Sequence, residues 1–432
     1  MHLPSPKSHH IIMQCILYFI PFYACITIVL LHNGCVDNPE ITHPTFENDS
    51  IIQNAKPLQS EVINSIEGVY DIISSSVNWG SKAVLHWTNG SLCIYFENSG
   101  NYVVLRGGLL DNTFAFSGFW RNPLTVNTGK IQCIINDTSK IMSIIRSGNI
   151  SELSTIPLTL TLLSTTGENR QSLTLRYIRP SKYRNDTYFI IAHRGGGRNS
   201  DLLPYSENSL NLLRFSQYIG ANGVEIDIKL TSDGIPILYH DTDFNSRLIG
   251  NGTLIGPVES FSFTQIRTFT KLHDGSDIPT LREALDFILD STSLRLVWLD
   301  IKSNNAMNSI IPLLKEYTQK AKEKNRSLFI GIGLASEQFI QEFLTIPQFS
   351  TIPSIVETSV EDTRKINARA FAPRWTLGTQ NDLIQTVKQE GRYALVWTLD
   401  DQRYIRKFLA EGQFDGILTN FPSIVAYEYY AQ

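Results

Sequence analysis

A chain of 432 residues is too long for one small domain and is expected to hold two or three. Hydrophobic residues at 42% and aromatics at 10% are ample for folded cores. With 37 basic against 41 acidic residues the net charge is -4, which leaves no broad cationic surface and excludes nucleic acid as a partner.

In chain order, Ile11 to Leu31 is almost uninterruptedly apolar, long enough to span a bilayer, and preceded by Lys7 and two histidines. Residues 1–35 therefore read as a signal peptide or membrane anchor, and the protein as exported. Gly34-Cys35-Val36-Asp37 resembles the cysteine junction of a bacterial lipoprotein, although His32 stands where such junctions usually carry Leu. The alternatives are a lipid anchor at Cys35, an uncleaved anchor, or secretion. A buried core helix fits poorly, because no polar positions recur at helical spacing. Residues 36–59 are polar, proline-bearing and without period, as expected of a linker.

Residues 60–180 change texture. Ala83 to Trp87, Leu92 to Phe96, Tyr102 to Leu105, Thr113 to Phe119, Lys130 to Ile135, Leu158 to Leu163 and Ser172 to Tyr177 are short apolar runs. Asn89-Gly90, Gly107-Gly108 and Thr166-Gly167 punctuate them. This predicts an antiparallel all-β domain, barrel or sandwich, with Trp79, Trp87, Phe116 and Trp120 as core anchors. Cys93 and Cys133 either form a bridge or are simple core residues. The lone His86 is read as packed, and the domain as a spacer or docking module with no catalytic constellation.

From residue 186 to 430 strands and helices alternate. The strand candidates are Tyr188 to Ala192, Gly223 to Lys229, Arg295 to Ile301, Leu328 to Ile332, Ser354 to Val356, Ala368 to Phe371, Tyr393 to Leu399 and Phe414 to Leu418. Eight near-continuous apolar strands between amphipathic helices predict an α/β fold, a closed (β/α)8 TIM barrel. Residues 242–279 are too long for a connection and are expected to form a small insertion rimming the site.

The chemistry gathers between Ile190 and Asp241. His193-Arg194-Gly195, Glu207-Asn208, Glu225-Ile226-Asp227 and His240-Asp241 supply two imidazoles, a guanidinium and several carboxylates. Two residues apart on a strand, Glu225 and Asp227 face the same way, and buried like charges call for a cation. Asp300 is placed to complete a ligand set, with Lys302 on the same face reaching toward phosphate. Such an inventory suits cutting a phosphodiester, with a hard divalent cation and two proton-moving groups. Gly195-Gly196-Gly197 lacks dinucleotide-fold spacing and is read instead as letting the backbone pass close to a phosphate.

The order of these pieces resembles the glycerophosphodiester phosphodiesterase family, as do Thr231-Ser232-Asp233-Gly234, Ile278-Pro279-Thr280-Leu281, Leu299-Asp300-Ile301-Lys302, Val396-Trp397-Thr398 and Asp415-Gly416-Ile417 with Thr419 and Pro422. The resemblance implies the same barrel, His193 and His240 as the acid/base pair, Arg194 on a phosphate oxygen, and Trp397 stacked at the pocket mouth unless it is plain core. The family's usual residue at Asp300 is Glu, so the shorter side chain leaves direct and water-bridged ligation both open. Asp241 and Glu207 are candidate orienters, Glu207 alternatively a metal or substrate contact. Arg374 and Trp375 are candidates for reading the head group, and His273 for a solvated loop residue.

The expected function is metal-dependent hydrolysis of glycerophosphodiesters to glycerol 3-phosphate and an alcohol, with Ca²⁺ or Mg²⁺ as cofactor. Expected partners are the small-molecule glycerophosphodiester or lysophospholipid head group, and a membrane through the N-terminal segment. The alternatives are a lysophospholipase D or inositol phospholipase C activity on the same barrel, or a non-catalytic binding protein. The choice of metal, the released alcohol and the oligomeric state stay open.

Overall fold

Alternation of apolar and polar side chains builds the first folded element of the computed structural model, which describes residues 41–432 except 43, 45, 47–48, 164–170 and 182–186. In Leu158–Leu163 the three leucines at alternate positions are buried, and Thr159 between them is exposed. Eight such strands, Gly68–Ser75, Lys82–Thr88, Ser91–Phe96, Tyr102–Leu110, Thr113–Arg121, Thr128–Ile135, Leu158–Leu163 and Gln171–Arg179, form a closed antiparallel barrel. Seven correspond to the predicted runs. The eighth, Gly68–Ser75, closes the barrel against Gln171–Arg179, and two register shifts along it break the alternation that would have marked it in the sequence.

Side chains fill the small barrel. Trp79 and Phe116 are buried, whereas Trp87 and Trp120 are only partly so and pack against the same cluster. Ile141, Ile144 and Ile145 of the helix Thr138–Ser147 join that core. Cys133 lies in it, but Cys93 belongs to a different apolar cluster, and both thiols are free and buried. His86 is packed as expected, its ring stacked on Tyr430 at 4.9 Å and its Nδ1 3.3 Å from Glu67.

The linker reading needs correction at its C-terminal end. Asp49 caps the short helix Ser50–Asn54 by accepting from the amides of Ile51 and Ile52. Ile51 is buried, and Lys56 pairs with Leu109 of the barrel wall. One isoleucine and a good cap suffice to dock this polar stretch, which a periodicity search overlooks. The apolar segment Ile11 to Leu31 and Cys35 lie outside the described residues. Among the described residues no helix is long and apolar enough to cross a membrane.

The second barrel is parallel, with strands Phe189–Ala192, Gly223–Leu230, Leu296–Ile301, Phe329–Leu334, Ser354–Val356, Ala370–Phe371, Tyr393–Val396 and Gly416–Thr419 in that order. The eighth pairs back on the first, closing the TIM barrel. A ninth strand, Pro236–Leu238, turns back antiparallel to the second. The insertion builds two small two-stranded sheets and the helix Phe263–Phe269 around its own core, which includes Phe244, Leu248, Val258 and Ile266.

The two barrels share the compact unit Ile41–Gln432. The helix Pro422–Tyr430 is buried at every residue, and it shares a core with Cys93, Tyr95 and Tyr102 from the small barrel. At Gly100, where φ is +61°, an added Cβ would lie 2.3 Å from Ile424, so glycine permits both the turn and the contact. Ser423 Oγ donates to Gly100 O at 2.8 Å, and Gln402 Nε2 to Glu97 O at 2.8 Å. Each fully buried large apolar side chain in this seam contributes about 1.5–3 kcal/mol, so the two barrels are joined by packing rather than by a tether.

Candidate active site

Register places the acids. The second and third strands align Glu225 with Trp298 and Asp227 with Asp300, so all three carboxylates emerge together at one end of the barrel. One ligand oxygen from each of Glu225, Asp227 and Asp300 lies within 4.8 Å of the others. Asp300 thus reaches the cluster despite its short side chain. Glu225 Oε1, Asp227 Oδ1 and Asp300 Oδ1 are buried and accept no hydrogen bond. Three buried carboxylate oxygens that accept no hydrogen bond are costly to bring together without positive charge, and an all-oxygen donor set suits a hard divalent ion.

Lys302 Nζ meets part of that charge, 2.6 Å from Asp300 and 3.3 Å from Asp227. Burial pushes Glu225 well above the usual carboxyl range, and Asp227 and Asp300 push the same way. Asp300 is also raised by burial, against the pull of Lys302. Asp227 is lowered: burial opposes ionisation, but Lys302, His240 and Arg194 together outweigh it. The result is one acid held toward its ionised form beside two whose ionised forms burial disfavours, a cost that further positive charge would relieve.

His193 ends the first strand. Its Nδ1 lies 2.7 Å from Asn420 Oδ1, and its Nε2 lies 3.8 Å from Glu225 Oε2. Asp400 fixes the amide by accepting from Asn420 Nδ2 at 2.7 Å and from the Asn420 backbone at 2.8 Å. An amide oxygen only accepts, so His193 Nδ1 carries the proton and Nε2 presents a lone pair. Burial lowers the pKa of His193, which keeps the ring neutral.

His240 reaches the same mouth from outside the ring of parallel strands. It follows the antiparallel strand Pro236–Leu238, and the Tyr239 amide donates to Asp227 O at 3.0 Å. Its Nδ1 lies 2.7 Å from Asp241 Oδ1. Asp241 also accepts from Arg247 Nε at 2.8 Å and from Asn245 at 2.9 Å, so the orienting carboxylate is itself held.

Glu207 orients Arg194 and neither histidine. It is 2% exposed and accepts from Arg194 at 2.8 Å, from Arg247 at 2.9 and 3.0 Å, and from the Asn199 amide at 2.8 Å. Arg194 has φ +52°, a left-handed conformation that costs a non-glycine residue about 1–2 kcal/mol. The turn lets its amide donate to Glu225 at 2.7 Å while its carbonyl accepts from Asn208. Asn208 Nδ2 then donates to Asp227 at 2.8 Å. The following glycines serve packing: a Cβ on Gly196 would lie 2.6 Å from Leu212, and Gly195 has φ +84°.

A cavity of about 460 Å³ joins these groups. His193, His240, Glu225, Asp300, Lys302 and Trp397 line it, together with Arg374, Trp298 and Glu357. Trp397 Nε1 donates to Ala372 O at 2.8 Å, and the Arg374 guanidinium sits 4.7 Å from the ring centroid. Trp375 is not among the lining residues and packs against Tyr404 at 4.9 Å. His273 is exposed and contacts Ser246 O at 2.9 Å. Asn420, Asp400, Arg247, Trp298 and Glu357 escaped sequence reading, which named Asn208 beside Glu207 but gave it no role. Burial raises the Glu357 carboxyl to about 8, with Asp300 adding to the effect.

Residues 193–424 match the family model described as the glycerophosphoryl diester phosphodiesterase family. Glycerophosphodiester phosphodiesterase 1 of Homo sapiens is 34% identical over 144 residues, which is 31% of this chain and 40% of that protein. The chain thus spans less than half the length of that curated relative. The glycerophosphodiester phosphodiesterase of Caldanaerobacter subterraneus subsp. tengcongensis is 25% identical over 244 residues, 54% of this chain and 94% of the relative. A crystal structure of a glycerophosphodiester phosphodiesterase from Parabacteroides distasonis aligns with 57% of this chain and 98% of its own at 21% identity and a TM-score of 0.45. With more than half of its length inside the family model, this chain belongs to the glycerophosphoryl diester phosphodiesterase family.

Proposed function

We propose that this protein hydrolyses glycerophosphodiesters to glycerol 3-phosphate and an alcohol, with a divalent cation held by Glu225, Asp227 and Asp300 and with His193 and His240 moving the protons. The observation that carries this reading is the pair of oriented imidazoles lining one cavity with Glu225 and Asp300, beside the three-carboxylate cluster that Asp227 completes. Ca²⁺ and Mg²⁺ both suit that donor set, and when bound such an ion neutralises charge on the phosphate.

Neutral His193, with its Nε2 lone pair free, is suited to take the proton of the attacking hydroxyl. His240, its Nδ1–H held by Asp241, is suited to protonate the departing alcohol oxygen, and the nearby carboxylate stabilises the charged ring during transfer. In this reading Arg194 holds a phosphate oxygen, supported by a buried Nε that makes no hydrogen bond and lies 3.8 Å from Asp227, and Lys302 adds a second cation. The apolar segment Ile11 to Leu31 and Cys35 support export to a membrane surface as the place of action.

Product identification tests the proposal. Chelated protein is offered glycerophosphocholine, glycerophosphoethanolamine, glycerophosphoinositol and a lysophospholipid, with and without added Ca²⁺ or Mg²⁺. Metal-dependent glycerol 3-phosphate release supports it. Turnover of the lysophospholipid alone, or none with any substrate and metal, overturns it.

A further inference from the structure

A second cavity, also about 460 Å³, lies where the small barrel meets the helix Leu210–Ser216, and it shares no lining residue with the catalytic one. Its volume is within the range of about 300–1,000 Å³ typical of small-molecule sites. Val104 and Phe119 from the small barrel, Phe215 and Tyr218 from the parallel barrel, and Phe46 and Ile52 from the segment ahead of both supply an apolar wall. The aromatic rings are braced against one another, Phe119 on Phe215 at 6.3 Å and Tyr205 on Phe215 at 5.4 Å.

The two charged residues that line this cavity are both cationic. Arg106 and Arg214 line it, both are exposed, and neither forms an ion pair among the described residues. Lys130 adds a third cation, 5.5 Å from the Phe46 ring. Asp49 is the nearby acid, and its oxygens are engaged: Oδ1 accepts from the Ile51 and Ile52 amides, and Oδ2 from Ser117 Oγ at 2.6 Å. Arg214 stacks on the Phe287 ring at 5.0 Å, a contact that leaves its charge without a carboxylate partner among the described residues. An apolar recess bordered by guanidinium groups outside any ion pair is complementary to a molecule with one apolar chain and an anionic head.

We propose that this cavity is a binding site for a single-chain anionic amphiphile, its chain lodged between the barrels and its carboxylate or phosphate head on Arg106 and Arg214. Fatty acids and phosphate-headed lysolipids share that chemistry. Nothing in the site depends on turnover, so the test is a binding measurement, separate from the catalytic reading.

The full chain is placed in phosphatidylcholine nanodiscs and titrated calorimetrically with dodecanoate, lauroyl lysophosphatidate or dodecyltrimethylammonium, with empty nanodiscs subtracted. At least one anion is expected to saturate at one per chain while the cation shows no saturable binding, and the tighter anion identifies the source. Asn211→Trp, a change at an exposed lining position that plugs the recess, and the pair Arg106→Glu with Arg214→Glu should each weaken anion binding roughly tenfold or more. Absence of saturable binding by either anion, equally tight binding of the cation, or unchanged affinity in either variant would overturn the proposal.

Discussion

Replacing Asn420 by Ala isolates the orientation of His193 from its presence. The change removes the acceptor 2.7 Å from His193 Nδ1 and the donor 2.7 Å from Asp400 Oδ2. Asp400 Oδ1 keeps the Asn420 amide at 2.8 Å and Thr419 Oγ1 at 3.0 Å, so only one carboxylate oxygen is left bare. A buried acceptor left unsatisfied costs about 1–3 kcal/mol of stability, and the half-buried Asp400 should lose no more than the lower end of that range. For catalysis the loss is a hydrogen bond that selects the tautomer, worth about 0.5–1.5 kcal/mol, or up to roughly tenfold in kcat. Removing the imidazole altogether with His193→Ala forfeits acid/base assistance worth about 10²–10⁴-fold. Steady-state kinetics with a glycerophosphodiester, alongside denaturant unfolding, separates the two: Asn420→Ala should lower kcat with KM nearly unchanged and by far less than His193→Ala. An unchanged kcat, or a loss equal to that of His193→Ala, would refute the orienting role.

Three further outcomes follow from the electrostatics. Activity requires neutral His193 and fades as pH falls through its pKa; because burial holds that pKa below the ordinary 6.5, the acid limb of kcat/KM should lie below 6.5, and a limb above it in a pH–rate profile would contradict the assignment. Glu225 is raised mainly by burial, which favours its protonated form, whereas cation binding favours the carboxylate; calorimetry in buffers of different ionisation enthalpy should report proton release on binding, and proton uptake would contradict this. Lys302→Met strips the partner of Asp300 and Asp227; breaking a fully buried pair costs about 3–5 kcal/mol, and the partial exposure of Lys302 and Asp300 puts this loss below that range. The Tm of chelated protein should therefore fall and its rise on adding metal should exceed that of the parent; an equal rise in both would show that Lys302 does not substitute for the ion.

The parallel barrel was legible because its strands are apolar and its helices amphipathic, and the carboxylates because a period of two puts Glu225 and Asp227 on one side. The family resemblance named both histidines. What escaped was long-range pairing. Asn420 meets His193 across 227 residues of sequence only because the eighth strand closes on the first, and Asp400 comes from beyond the seventh. Glu207 looked like a metal contact or histidine orienter until two arginines were found to enclose it. The strand Gly68–Ser75 was hidden by its irregular register, and the helix Ser50–Asn54 by its brevity. A bridge between Cys93 and Cys133 was open in the sequence, but the barrel wall assigns the two thiols to different apolar clusters.

Diffraction from crystals soaked in Mn²⁺, recorded at an energy where manganese scatters anomalously, tests the central assignment most directly. The account predicts one strong peak bonded by an oxygen from each of Glu225, Asp227 and Asp300, within the cavity that His193 and His240 line. A peak at any other place, or a cluster left bare at saturating metal, would contradict it.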